Sequence, residues 1–462
     1  MKRLSIIENQ SNYHFIGIGG IHMSGLAEIL FDDGCTVTGS DKNDSDIIAA
    51  LRKKGIKIEI GHDTQNICDE TQIVVYNAAV PMSNPEIAEA KQKKLRLMSR
   101  AELLGRLMQN YDTAICVAGT HGKTTTTSML AEIFMAADRD PTVMNGGILP
   151  TMGGAVRNGA RDFIIAEACE YHDSFLQFNP NIGIILNVEM DHSDYFKDID
   201  SMRASFTAFA KKIPQNGLLA INSNIDSLEQ LVDGLDCDVH TFGESGFIYA
   251  KNIRFNNLGH PIFDLMGNDD KLGEIALKVP GNHNVHNAMA AAICALHCGI
   301  SFEIIAAALS SFTGANRRFQ HIGTYNDATI VDDYAHHPTE VAATIQAAKN
   351  MAHGRLWIVF QPHTRARTAE FLDKFAEELA HADELIILDI YNPAGREEEQ
   401  HSIHAKDLAS LVSKANATNC RYIPSFEACT DFLKQNIAPN DLIITMGAGD
   451  VHKVSESLVN MP

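Results

Sequence analysis

Ala118-Gly119-Thr120-His121-Gly122-Lys123-Thr124-Thr125 stands between an apolar strand pattern over 113–117 and a helix pattern over 123–137. Glycines at these positions let backbone N–H groups close around phosphate oxygens, and the helix N-terminus adds a field that favours an anion. Lys123 can reach terminal phosphates and the Thr124 hydroxyl suits Mg²⁺. The usual loop has a glycine where this chain has Val117, so the motif is a shortened GxxGKT form. A turn that binds nothing is the competing reading. Strand, loop, Lys-Thr and helix in the required order favour a phosphate-binding loop made by Gly119, Thr120, His121, Gly122, Lys123, Thr124 and Thr125.

The segments that follow place hard ligands at strand ends. Ile165-Ala166-Glu167-Ala168-Cys169-Glu170 closes an apolar strand over 163–167, and a carboxylate there beside a phosphate loop is a natural Mg²⁺ ligand. Glu167 takes that expectation; Glu170 is evenly split between metal and solvent. Asn187-Val188-Glu189-Met190-Asp191-His192 ends the strand over 183–187, with His192 in register to bind a second cation or orient a phosphate. Asn282-His283-Asn284-Val285-His286-Asn287 precedes an apolar helix over 287–298, where amides cap the helix or read a purine edge. Arg317-Arg318-Phe319-Gln320 marks a boundary at which a guanidinium can meet a γ-phosphate as domains close.

On both flanks the alternation of short apolar strands with helices predicts further parallel sheets. In the first unit a strand over 13–18 enters Gly17-Ile18-Gly19-Gly20, then a helix over 23–30 and a strand over 35–39 ending at Ser40-Asp41. Further elements are expected at 44–54, 56–60 and 72–76. The stretch from Gly17 to Gly25 fails the strict G-x-G-x-x-G pattern, since position 22 is His22, but still points to a nucleotide diphosphate, NAD among the options. In the last unit strands over 328–332, 356–360, 385–390 and 441–446 alternate with helices over 338–352, 368–381, 404–414 and 425–435. Asp332-Asp333-Tyr334-Ala335-His336-His337-Pro338 and Gln361-Pro362-His363-Thr364-Arg365-Ala366-Arg367 then lie at strand ends, suited to an anionic second substrate. The expected organisation is three domains, 1–110, 111–314 and 315–462.

Composition narrows the function classes. The chain has 462 residues, 45% of them hydrophobic, with 38 Lys and Arg against 58 Asp and Glu and a net charge of −20. A nucleic-acid or anionic-membrane binder needs a basic face, so neither partner is expected. No apolar run is long enough to span a membrane, and the opening MKRLSIIENQSNYHF has no long apolar stretch, so no signal peptide is expected. The 9 cysteines are dispersed without a CxxC pair, which reads as reduced thiols in the cytoplasm.

Taken together, GIGGIHMSG, GTHGKTTT, EACEYHDSF, MDHSDYF, RRFQ, DDYAHHPTE, QPHTRART and TMGAGD resemble the motifs of the Mur ligases of peptidoglycan synthesis, in order and across nearly the whole chain. That resemblance implies an N-terminal Rossmann-like domain for the UDP moiety, a central P-loop ATPase-type α/β domain, and a C-terminal Rossmann-like domain for the amino acid. It implies ATP-dependent amide formation through an acyl phosphate. UDP-N-acetylmuramate and L-alanine are the implied substrates, with a recycled tripeptide as the alternative acceptor, in a monomer or weak homodimer. Thr124 and Glu167 then hold one Mg²⁺, His192 helps with a second, and Asn287 and Arg318 contact the nucleotide. Lys123, Glu167, His192 and Arg318 carry the chemistry. Gly19, Gly20, His22, Ser24, Asp41 and His62 face the UDP part, and Tyr334, His336, His337, His363, Arg365 and Arg367 match amino-acid positions. Many members read QPHRYTRT where this chain has Thr364 and Arg365, while Arg367 keeps its place.

Overall fold

The computed structural model describes residues 11–392, 402–415 and 419–459; the opening residues 1–10, most of the segment read as lacking a leader, lie outside them. Three sheets, each flanked by helices, make three α/β domains. By packing the chain forms two compact units. One contains residues up to Tyr249 together with Met289–Ile305; the other contains Ala250–Ala288 and the chain from Ala306 onward. No helix of the described residues is long and apolar enough to cross a membrane. All nine cysteines are free thiols.

The first sheet of the first unit has the order Lys57–Ile60, Thr36–Asp41, Asn12–Ile16, Ile73–Tyr76, Arg96–Ser99, all parallel. The order reverses about Asn12–Ile16, which opens a crevice at the carboxyl ends of the strands. The glycine turn 17–20 sits there. Helix Ile21–Asp32 starts two residues earlier than the apolar pattern suggested, because Gly20 is extended and caps it. Its buried Met23, Leu26, Ala27 and Leu30 form a stripe against the sheet. Strand Arg96–Ser99 escaped the sequence reading: it is a short edge strand with only Met98 buried.

The second sheet of this unit runs Asp238–Phe242, Leu218–Asn222, Ile182–Ile185, Thr113–Ala118, Phe163–Glu167, Thr142–Leu149, Gly154–Arg157. Thr113–Ala118 lies between Ile182–Ile185 and Phe163–Glu167 and is parallel to both. All three segments expected to bear site residues therefore end on one edge of the sheet. The hairpin of Thr142–Leu149 with Gly154–Arg157 was not expected, since glycines interrupt its apolar pattern.

Helix Arg100–Met108 packs on the turn Tyr171–Gln177 through a glycine. A Cβ built on Gly105 falls 1.9 Å from the Gln177 carbonyl oxygen, and Asn179 donates its side-chain amide to the Gly105 carbonyl at 3.1 Å. Gly105→Ala is expected to destabilise the first unit by about 1–3 kcal/mol through forced displacement of backbone. Denaturant unfolding followed by tryptophan-independent circular dichroism checks this; an unchanged midpoint contradicts it.

The second unit has the order Gln320–Tyr325, Ala328–Asp333, Leu442–Met446, Leu356–Phe360, Glu384–Ile387, Asn419–Tyr422. Gln320–Tyr325 is antiparallel to its neighbour and the others are parallel. Both faces are covered, with Ile358, Phe360 and Ile444 in one core and Trp357, Val359 and Ile443 in the other. The expected helix over 368–381 is broken at Phe371 into Arg365–Glu370 and Leu372–Leu379.

Candidate active site

Lys123 opens helix Lys123–Ala136, and the loop before it depends on two glycines with positive φ, Gly119 at 140° and Gly122 at 84°. A Cβ on Gly119 meets Leu186 Cβ at 2.9 Å, so the loop also needs glycine to pass the neighbouring strand end. That strand end holds the loop in place. The His121 N–H donates to Asn187 Oδ1 at 2.8 Å, and the Glu189 N–H donates to Thr120 Oγ1 at 2.9 Å.

The Lys123 ammonium donates to the Gly119 and Thr120 carbonyls and to Glu170 Oε2 at 2.9 Å. Glu170 is fully buried. Burial alone would raise its carboxyl, but the Lys123 charge and the His192 contact outweigh burial and hold it below the usual range. Burial alone would likewise lower Lys123; the Glu170 charge outweighs it, and the ammonium is held above its ordinary value. His192 Nε2 lies 3.5 Å from Glu170 Oε1, and Tyr171 stacks on the imidazole with centroids 4.4 Å apart. The turn bearing Tyr171 contains His172 and Asp173 at φ of 53° and 52°, a conformation costly for non-glycine residues. Hydroxyls of Tyr195 and Ser205 both donate to Asp173 and fix it.

Glu167 ends its strand beside Gly146, whose N–H donates to Glu167 Oε1. A Cβ on Gly146 would lie 2.7 Å from both carboxylate oxygens, so a side chain there would push the Glu167 carboxylate from this position. The preceding residue, Asn145, donates its amide to Ser128 Oγ at 2.9 Å, and Ser128 donates to the Thr124 carbonyl at 2.8 Å. Thr124, Glu167 and His192 thus stand on three elements joined by one hydrogen-bonded framework. A hydroxyl, a carboxylate and an imidazole suit a divalent cation that keeps part of its water.

In the first domain the Gly19 N–H donates to Asp41 Oδ2 at 2.9 Å, and Gly17 and Ile18 both donate to the Ser40 carbonyl. The Gly20 end of the helix has no side-chain cap. Ser24 donates its hydroxyl to the Ile21 carbonyl. His22 is engaged on both ring nitrogens, with Arg100 at 2.8 Å and the Asn145 carbonyl at 2.8 Å. His62 lies 2.9 Å from Glu86 Oε2, and buried Glu86 also accepts from Ser40 and Asn66. Burial would raise Glu86; His14, Ser40 and Asn66 outweigh it and keep the acid ionised. Sequence reasoning missed Arg100, Asn145, Gly146 and Glu86. Arg100 follows, and Asn145 lies within, strands without an apolar period, so no local signal marked them.

The second unit carries the remaining positions. Arg318 lies 3.7 Å from Glu340 and over the Tyr334 ring. Arg317 is bound to Asp332 at 2.9 Å and to the Gly447 carbonyl at 2.7 Å, which makes it a fastener of the sheet. Asn287 is buried, and donates to Asn284 Oδ1 at 3.0 Å. His283 beside it is brought down to about 4 by burial and then by His286. His336 and His363 face each other with centroids 5.6 Å apart, and Tyr391 stacks on His363. Arg367 Nη1 reaches His363 Nδ1 at 3.4 Å, whereas Arg365 donates to the Ile403 carbonyl. His337 is a buried N-cap of helix Pro338–Lys349, with its ring edge-on to Phe371.

Asp333 is buried and accepts from the Ala335 and Phe319 N–H groups, each at 2.7 Å. Burial pushes its carboxyl up to about 6 against the opposing pull of Arg318 and those N–H groups. Folding therefore takes up a proton between the ordinary value of 3.8 and about 6. Stability from this group is complete below the lower value and is lost as pH rises through the upper one, by at most on the order of 3 kcal/mol. The unfolding free energy of wild type relative to Asp333→Asn is expected to fall from pH 4 to 6.5. A flat difference, or a carboxyl ¹³C titration with its midpoint below 4, contradicts this.

Family models match the chain in three consecutive stretches. They are the Mur ligase family catalytic domain over residues 12–112, the Mur ligase middle domain over 117–295, and the Mur ligase glutamate ligase domain over 317–449. The chain belongs to the Mur ligase family. It is 46% identical to the UDP-N-acetylmuramate–L-alanine ligase of Clostridium novyi, over 97% of each chain. It is 47% identical to the ligase of the same name from Agathobacter rectalis, over 96% of this chain and 97% of that one. Among solved structures, the UDP-N-acetylmuramate–alanine ligase of Thermotoga maritima superposes with a TM-score of 0.81 at 27% identity, over 97% of this chain and 98% of that one. A murein peptide ligase from Psychrobacter arcticus gives 0.72 at 26% identity, over 98% and 99%.

Proposed function

We propose that the chain joins L-alanine to the lactyl carboxylate of UDP-N-acetylmuramate, using ATP and releasing ADP and phosphate. The observation that carries this reading is the near-full-length likeness, at 46–47% identity, to ligases of that name. The intact Lys123, Glu167, Glu170 and His192 constellation supports it, since a scaffold without activity would not need a buried ion pair at a phosphate loop. We place the reaction in the cytoplasm, which the nine dispersed free cysteines support.

The lactyl carboxylate attacks the γ-phosphate to give an acyl phosphate, and the amine of alanine then displaces phosphate from the carbonyl. Mutual repulsion of anions is the main obstacle. The loop from Gly119 to Thr125 cradles the triphosphate, and Lys123 exchanges Glu170 for phosphate oxygens. Thr124 and Glu167 would hold Mg²⁺, with His192 beside a second ion; bound there, the metal offsets phosphate charge. Asn287 and Arg318 contact the nucleotide. Gly19, Gly20, His22, Ser24, Asp41 and His62 form the UDP-sugar region. Tyr334, His336, His337 and His363 surround the amino acid. Arg367 takes its carboxylate, a role supported by its place on His363 while Arg365 is spent on a backbone carbonyl. These roles follow three functional domains, 1–110, 111–314 and 315–462.

Phosphate release from Mg-ATP with UDP-N-acetylmuramate is the test, with L-alanine, L-alanyl-γ-D-glutamyl-meso-diaminopimelate or no acceptor. Release that requires both the UDP-sugar and L-alanine is expected. Release only with the tripeptide would assign the chain to the peptide-recycling ligases, and no release would overturn the proposal.

A further inference from the structure

Arg100 begins helix Arg100–Met108 at the carboxyl end of strand Arg96–Ser99, with Ser99 as the cap. Its guanidinium donates to His22 Nδ1 at 2.8 Å. The other His22 nitrogen bonds the Asn145 carbonyl, an acceptor only, so Nε2 carries the proton and Nδ1 is the lone-pair side. Burial, reinforced by the Arg100 charge, brings His22 down to about 4, so Arg100 faces a neutral partner. Among the described residues no carboxylate lies within ion-pair distance of Arg100. The carboxylate that acts on it from farther off is that of Glu167, at the strand end expected to hold the metal.

A partly buried cation with unused donors and no counter-charge is costly to maintain, and favours an anion from outside. The place is defined from two sides. His22 is the second residue of the helix after the glycine turn, and the Asn145 it touches precedes Gly146, which holds Glu167. A sugar nucleotide seated on the glycine turn must send its reactive arm toward Glu167 and the phosphate loop. The turn N–H groups and helix N-terminus already suit the diphosphate. The anion left for a guanidinium on the Glu167 side is the carboxylate of the arm.

We propose that Arg100, oriented by His22, binds the lactyl carboxylate of the UDP-sugar and directs it toward the phosphate loop. The proposal rests on the substrate assigned under the proposed function. A planar guanidinium can pair with both carboxylate oxygens, which a lysine cannot do.

Calorimetric binding of UDP-N-acetylmuramate and of UDP-N-acetylglucosamine, which has the same diphosphate and lacks the lactyl arm, tests it in wild type, Arg100→Ala and Arg100→Lys. Mg-ATP binding reports that each variant is folded. Arg100→Ala is expected to bind UDP-N-acetylmuramate roughly 10- to 100-fold more weakly, with UDP-N-acetylglucosamine unchanged. Arg100→Lys, which keeps the charge and serves if the alanine variant does not fold, is expected to show a smaller loss with the same selectivity. Equal losses for both sugar nucleotides would place Arg100 on the diphosphate and overturn the proposal, as would no loss at all. Wild type that binds neither nucleotide would overturn the substrate assignment itself, a result separate from either.

Discussion

Lys123→Ala is expected to lower alanine-dependent phosphate release by about 10²–10³-fold, the range for removing one preorganised group that meets developing charge. The side chain already touches the Gly119 and Thr120 carbonyls and Glu170, so it is held at the loop before nucleotide arrives. The same change leaves the fully buried Glu170 carboxylate without its ammonium. Stability should therefore fall as well, and a loss of activity by itself would not separate chemistry from folding. The double variant Lys123→Ala with Glu170→Ala separates them, because removing both charges is far less costly than stranding one. It is expected to recover most of the thermal stability and none of the activity. Recovered activity in the double variant would mean that Lys123 acts only as a structural partner.

Glu170→Ala alone is the second large effect. It strands the Lys123 ammonium and is expected to cost about 3–5 kcal/mol in the absence of nucleotide. Phosphate oxygens supply the missing counter-charge, so Mg-ATP should raise the melting temperature of Glu170→Ala more than that of wild type. In wild type the nucleotide must first compete with Glu170 for Lys123; in the variant it does not. Thermal shifts at matched saturation make the comparison. A shift in the variant no larger than in wild type would show that Lys123 does not transfer from Glu170 to phosphate.

Much of the fold could be read along the chain because the information is local. Gly119, Gly122 and Lys123 announce a phosphate loop, since positive φ and an anion-binding helix start require them in that order. The runs at 113–118, 163–167 and 182–185 are almost wholly buried, as strands covered on both faces must be. Short or glycine-broken strands did not announce themselves. Arg96–Ser99 has one buried residue, and Thr142–Leu149 carries Gly146 and Gly147, so neither shows a period.

By itself the sequence determined three α/β units, the long apolar strands with the helices between them, and the residue types at the ends of the central strands. Only the tertiary structure decided partners. It gave Lys123 to Glu170 and His22 to Arg100 and Asn145, and it put Arg365 on a backbone carbonyl while Arg367 stayed beside His363. The physical reason is one of range. Loop conformation and burial period are set within a few residues, whereas a buried charge finds its counter-charge 47 residues away and an imidazole its carbonyl 123 residues away. Such pairings depend on which strand ends lie side by side, and that is fixed by sheet order and packing.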